Sequence, residues 1–144
     1  MSHRTEPRAI LRGYDTRLDP MPRLVLFDLD NTLCDHATSR SLRVRHAFEP
    51  FFSNEEDLGR AVHDASVRSS EGTARFAEIL EQYGADTDAA EEARERYLSD
   101  RYRGLELYSD ALHTIEQVKR VAAIGMITNG PTDIQQPKID LLQI

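Results

Sequence analysis

The sequence has a single cysteine, Cys34, and no tryptophan. One thiol excludes a disulfide framework and any cysteine-rich zinc site. No apolar run approaches the roughly 18 residues that a membrane-spanning helix needs. Lysine is scarce: Lys119 and Lys138 stand alone among 18 cationic residues, and the rest are Arg. Acids outnumber the cations at 25, for a formal charge of −7 and a pI of about 5.2. So acidic a chain lacks the broad positive footprint of a nucleic-acid binder. Internal repeats and low-complexity tracts are missing too. What is there is 144 residues, 40% hydrophobic and 30% charged, the makings of one ordinary domain.

Residues 1–22 read as a disordered leader. Arg4, Arg8, Arg12 and Arg17 alternate with Glu6, Asp15 and Asp19. The segment has no apolar stretch for a signal peptide and too many acids for a transit peptide, so a cytoplasmic location is expected. Met21 directly precedes the first strand-like run and is a candidate start residue.

Leu24-Val25-Leu26-Phe27 is a short continuous apolar run, which suits a strand buried on both faces of a parallel sheet. Asp28 to Thr32 is the turn that ends it. Residues 38–103 then read as four helices. Val44, Phe48 and Phe51 share one face, and Pro50 should break the first helix near Glu49. Asn54 is an N-cap, followed by Glu55, Glu56 and Asp57 at the positive helix end. Leu58, Ala61, Val62 and Ala65 carry the second stripe. Phe76, Ile79, Leu80 and Tyr83 carry the third, with Gly84 as its stop. Thr87 caps a fourth helix reaching about Arg103, with Ala90, Ala93 and Tyr97 on one face. Ser109 caps a further helix, Val121 to Ile127 is a second strand, and Gly130 and Pro131 open a last helix. Without the helical insert a βαβα unit remains, and right-handed crossover makes its two strands parallel neighbours.

Asp28 and Asp30 lie two apart at the C-terminal end of the first strand, so an extended chain puts both carboxylates on one side. Ligands of open α/β sheets bind outside that end. Two close carboxylates repel, and a hard divalent cation such as Mg²⁺ relieves the repulsion with oxygen ligands. A solvated turn with capping Asp residues is the alternative. Thr128-Asn129-Gly130 ends the second strand just before a helix, where backbone N–H groups, a hydroxyl and an amide can hold an anion. Simple helix capping is the alternative there. If the strands are parallel neighbours, acids and anion donors share one crevice, which suits phosphoryl transfer from a small phosphate ester.

Leu24 to Leu33, LVLFDLDNTL, resembles the first motif of the haloacid dehalogenase-like (HAD) hydrolases. IGMITNG, Ile124 to Gly130, resembles their second motif, and Asp133-Ile-Gln-Gln-Pro-Lys138 resembles the D-x-Q-x-x-K run of the phosphatase branch. The resemblance covers about residues 22–144. It implies an α/β fold, an incomplete Rossmann-like parallel sheet with an inserted four-helix cap of the C1 type. Residues 23–34 and 105–144 would be the partial core and 35–104 the cap. It further implies that Asp28 is the nucleophile and Asp30 the general acid and base. Mg²⁺ would bind the Asp28 carboxylate and the Asp30 backbone carbonyl, and Thr128, Asn129 and Gly130 would bind phosphate. The substrate would be a small phosphorylated metabolite, with no nucleic-acid or membrane partner. Asp30 favours a phosphatase over a dehalogenase, which needs no acid for a halide. A phosphomutase or dehalogenase on the same scaffold is the further alternative.

The family's third motif, a Lys, and its fourth, one or two Asp, do not occur here. The chain therefore reads as the N-terminal portion of a longer hydrolase, and a catalytically inactive fragment is the second reading. Pro137 and Gln143 predict irregularity in the last ten residues. Lys138, His36, Arg40 and Arg43 are expected on solvated helix faces, Cys34 in packing, and Glu92 with Arg96 in a helix-surface pair. His46, His63 and His113 have no metal-ligand spacing.

Overall fold

The computed structural model describes residues 23–67, 72–86 and 88–144. The leader, with Met21, and the Thr87 cap lie outside these residues. Strand β1 is Leu24–Phe27, as the apolar run predicts, and β2 is Ala123–Met126, shorter than expected. They pair in parallel, Leu24 opposite Ala123 and Phe27 opposite Met126. Gly125 sits opposite Leu26, and a Cβ there would lie 2.9 Å from the leucine's Cδ2. That close approach explains a glycine inside a strand.

Four helices separate the strands: α1 His36–Phe48, α2 Glu55–Val67, α3 Phe76–Gln82 and α4 Ala89–Ser99. Then α5, Ala111–Lys119, leads into β2, and α6, Thr132–Leu142, follows it. Helix α1 ends at Phe48, and Pro50 lies in a one-turn 3-10 helix, Glu49–Phe51. Asn54 Oδ1 accepts the Asp57 amide at 2.8 Å, the N-cap the sequence predicts. Gly84, with φ +78°, closes α3: its amide donates to Glu81 O and that of Ala85 to Leu80 O.

Several expectations shift. Helix α4 ends at Ser99, four residues short of Arg103, and Asp100 to Gly104 form turns. Helix α5 starts after Asp110, one residue beyond where a Ser109 cap would place it. Pro131 is extended (φ −64°, ψ 144°) and precedes the first residue of α6, so it is not the first helical residue itself. Helix α6 runs unbroken through Pro137. The ring removes one bond, to the Asp133 carbonyl. Tertiary anchors hold the helix on both sides, including Tyr102 Oη donating to Ile134 O at 3.3 Å. Gln143 takes the left-handed conformation, φ 57°, in which the helix ends.

The stems of the insert are joined. The Asp35 amide donates to Glu106 O and the Tyr108 amide to Leu33 O, each at 2.9 Å. The helices between them have their own core around Val44, Phe48, Leu58, Phe76, Ile79 and Tyr97. Phe48 and Phe76 meet edge to face at 4.8 Å, and Phe76 and Tyr97 at 5.4 Å. A second cluster, Leu29, Leu33, Cys34, Leu105, Ala111 and Ile115, packs under the sheet with Ile124, Met126 and Ile139. Strand β1 is not buried on both faces as expected: Leu24 and Leu26 are 55% and 52% exposed. Helices α5 and α6 contribute to one cluster, and among the described residues nothing packs over those two leucines.

Candidate active site

Parallel pairing brings the two loops side by side. Ile127 N, just after β2, donates to Phe27 O at the end of β1 at 2.9 Å. The next residues of the two strands are Asp28 and Thr128. The loop after β1 is wound tightly: the amides of Thr32, Leu33 and Cys34 all donate to Leu29 O. Asn31 adopts φ 59°, and its Oδ1 accepts the Ala37 amide at 2.8 Å, tying the loop to the start of α1. Asparagine tolerates this left-handed position better than most residues.

Asp28 is exposed, and Thr32 Oγ1 donates to its carboxylate at 2.8 Å. Asp30 is held quite differently. Lys138 Nζ donates to both of its oxygens, at 2.7 and 2.8 Å. Gln135 Nε2 adds a bond at 3.3 Å, His36 Nδ1 lies at 3.7 Å and Cys34 Sγ at 3.8 Å. Burial alone would raise the Asp30 pKa. The Lys138 hydrogen bond, the His36 and Lys138 charges and the Gln135 bond outweigh burial and hold it below its ordinary value. Burial lowers the His36 pKa, with Lys138, Arg43 and Arg40 pushing the same way and Asp30 opposing. Burial, then the Asp30 charge, pushes the Cys34 thiol up to about 11. Cys34 is fully buried, so it packs and does not react.

Lys138 is 4% exposed, not the surface residue its sequence context suggests. Arg43 is equally misjudged: it is buried, donates to Tyr97 O and stacks 3.9 Å over the Tyr97 ring. Arg40 bridges α2 and the following loop through Ala65 O and Gly72 O. His36 is half-buried against Asp30. Arg96 leaves Glu92 for the His46 carbonyl on α1. In each case a neighbouring helix covers the face that a single helix would show to solvent.

The second loop holds an unpaired polar atom. Thr128 Oγ1 is buried without a hydrogen-bond partner. Gln135 Nε2 also donates to Asn129 O at 2.8 Å, so one side chain spans both loops. Gly130 has φ +141°, and a Cβ there would lie 2.7 Å from that same Nε2. Asn129 and Gly130 are exposed. Gln135 and Lys138 are the residues to which the sequence reading gives no role at the site. Their i, i+3 spacing within the D-x-Q-x-x-K run puts both on one face of α6, and that was the available signal.

For a metal, the chain offers few ligands. Among the described residues no group of three or more His, Cys, Asp or Glu gathers. The Asp28 carboxylate is open to solvent, and no backbone amide of the described residues takes the Asp30 carbonyl. Two oxygens suit Mg²⁺, which keeps much of its water and takes one or two carboxylates plus phosphate oxygens.

A family model described as haloacid dehalogenase-like hydrolase matches residues 22–144. The chain belongs to the haloacid dehalogenase-like hydrolases. YfnB of Bacillus subtilis (strain 168), provisionally named a HAD-hydrolase, is 25% identical over 132 residues, covering 81% of this chain and 55% of YfnB. Its crystal structure, with magnesium bound, matches with a TM-score of 0.57 at 18% identity, over 84% of this chain and 58% of that one. A Clostridium difficile protein provisionally named a phosphatase matches with a TM-score of 0.59 at 21% identity, over 85% of this chain and 56% of that one. These structures share the α/β HAD fold with this chain, which spans about half the length of the relatives it matches. Among the described residues no helix is long and apolar enough to cross a membrane.

Proposed function

We propose that this HAD hydrolase is a Mg²⁺-dependent phosphatase of a small phosphorylated metabolite, acting from the cytoplasm through an aspartyl-phosphate. The observation that carries the reading is the single side chain of Gln135, bonded at once to Asp30 and to Asn129 O. That shared side chain supports a reading in which the two loops face one crevice.

In this reading the exposed Asp28 carboxylate attacks phosphorus. An Asp28–phosphorus bond forms, the bond to the leaving alkoxide breaks, and Asp30 gives that alkoxide its proton. Water then attacks phosphorus, Asp30 takes the proton, and Asp28 and inorganic phosphate are released. Asp30 rests ionised against Lys138. A phosphoryl dianion arriving beside it raises its proton affinity, so Asp30 takes up one proton from solvent on substrate binding, gives it to the alkoxide in the first step and takes one from water in the second. Thr128 Oγ1, the Asn129 and Gly130 backbone and the N-terminus of α6 receive the phosphoryl oxygens. Asp28 and the Asp30 carbonyl would hold Mg²⁺, which supplies charge neutralisation of those oxygens. The four-helix insert, residues 35–104, acts as the cap that covers the crevice.

The test is phosphate release from p-nitrophenyl phosphate by the full-length protein, with Mg²⁺ and with EDTA. Asp28→Asn should remove turnover, and equal rates from the two proteins would reject Asp28 as nucleophile.

A further inference from the structure

We infer that Gln135 is a positioning residue of the reaction: its one side-chain amide aims the Asp30 carboxylate at the leaving oxygen and turns the Asn129–Gly130 peptide so that its N–H faces the transferring phosphoryl group. The inference rests on the phosphatase reading for its chemistry and keeps a binding readout of its own. Gln135 is 6% exposed. Its Nε2 carries two hydrogens and has two acceptors. One is Asp30 Oδ2, at 3.3 Å on the loop after β1, and the other is Asn129 O, at 2.8 Å on the loop after β2. The reverse orientation of the amide would set Oε1 against both of these oxygens, so the chemistry fixes which end faces them.

Each bond has a consequence. The two Asp30 oxygens become unequal: Oδ2 takes nitrogen donors from both Lys138 and Gln135, whereas Oδ1 takes one from Lys138 alone, with the weaker Cys34 thiol at 3.8 Å. Oδ1 is therefore the freer oxygen to carry the proton. An ammonium is a compact charge that follows a carboxylate as it turns, and the planar amide fixes the turn. At the second loop the peptide is planar and trans, so tying Asn129 O to Gln135 points the Gly130 N–H the opposite way. The loop is shaped around this amide. Gly130 sits at φ +141°, and a Cβ there would meet Gln135 first, 2.7 Å from Nε2 and 3.3 Å from Cγ. Folding alone does not call for glutamine at this position. Its Oε1 is buried without a hydrogen-bond partner. A buried acceptor left unpaired is destabilising, and a hydrocarbon of the same shape would avoid that cost.

Gln135→Leu keeps the bulk and removes both donors together with the unpaired oxygen. Asn129 is exposed, so water can take its carbonyl, and the thermal midpoint should stay near that of the parent protein. Two esters then report on the acid. Nitrophenolate leaves without a proton, whereas phenolate, the more basic anion, gains from one. In the full-length protein with Mg²⁺, kcat/KM should fall about 100-fold for phenyl phosphate and about tenfold for p-nitrophenyl phosphate. A merely structural change would lower both alike. Affinity for inorganic phosphate, read by calorimetry, should fall about tenfold, the loss of roughly one hydrogen bond. Gln135→Met, flexible and of similar length, should behave the same way and replaces Gln135→Leu if that variant unfolds. Equal losses for the two esters would overturn the aiming of Asp30, and an unchanged phosphate affinity would overturn the turning of the peptide. Unfolding of both variants would make Gln135 a structural residue and overturn the inference. If the parent protein hydrolyses neither ester, the phosphatase reading fails. Phosphate affinity that still depends on Gln135 would then uphold its hold on the second loop, and affinity independent of Gln135, or no phosphate binding at all, would overturn that as well.

Discussion

Asp28 and Asp30 belong to one turn and read alike in sequence, but their surroundings give them different work. Asp28 is open to solvent beside Thr32, whereas Asp30 is bonded through both oxygens to a buried lysine. Removing the lysine strands a partly buried carboxylate. Lys138→Met should cost about 2–3 kcal/mol by denaturant melting, below the 3–5 typical of a fully buried pair because Asp30 retains some solvent. The linkage has a definite sign. Because the folded Asp30 pKa is lowered, its contribution is present above the ordinary carboxylate value and lost as pH falls through the folded one. Lys138→Met should therefore flatten that part of the acid-unfolding curve, leaving less stability to lose. Cys34, with its thiol pushed up to about 11, should resist iodoacetamide at pH 8 in the folded protein and react once denaturant is added. The Asp pair was legible because its spacing is local. The lysine was not, because it lies 108 positions from its partner.

The elements follow their periodicity closely, and their ends follow side-chain chemistry. The stripe Phe76, Ile79, Leu80, Tyr83 and the stop at Gly84 appear as predicted, since helix faces and glycine stops are set within one or two turns. Helix α6 departs from expectation in the other direction: it tolerates Pro137 because Gln135 and Lys138 pin it to the turn after β1. Gln143 closes it at φ 57°, a conformation in which a side chain costs about 1 kcal/mol or more. Gln143→Gly should stabilise the protein by about 0.5 kcal/mol, after the larger chain entropy of glycine is counted, and thermal melting would show it. In the insert, Phe48 is fully buried and packed on Phe76. Phe48→Ala should cost about 3–5 kcal/mol, read from the loss of helical signal on heating.

At the scale of the molecule, the two clusters of core residues are joined by the paired stems at Leu33, Asp35, Glu106 and Tyr108. This join positions His36 and Arg43 of the insert over α6. The sheet contains two strands among the described residues, and Leu24, Leu26 and Ile127 are exposed on it. Such apolar sheet surface promotes association. The 144-residue chain should therefore self-associate with concentration in light scattering, and Leu26→Lys should reduce this. A monomer at all concentrations would contradict the expectation.

By itself the sequence determined the family, the α/β order of elements, the insert of four helices and the positions of the Asp28–Asp30 and Thr128–Gly130 turns. Each of these rests on residues adjacent in the chain or separated by one helical or strand period, where geometry is local. Only the tertiary structure decided which carboxylate is paired, that Gln135 joins the two loops, and that Arg43 is buried with a free N–H. Those properties depend on which helix lies over which. Burial and counter-charge come from groups distant in sequence, and no local period encodes them.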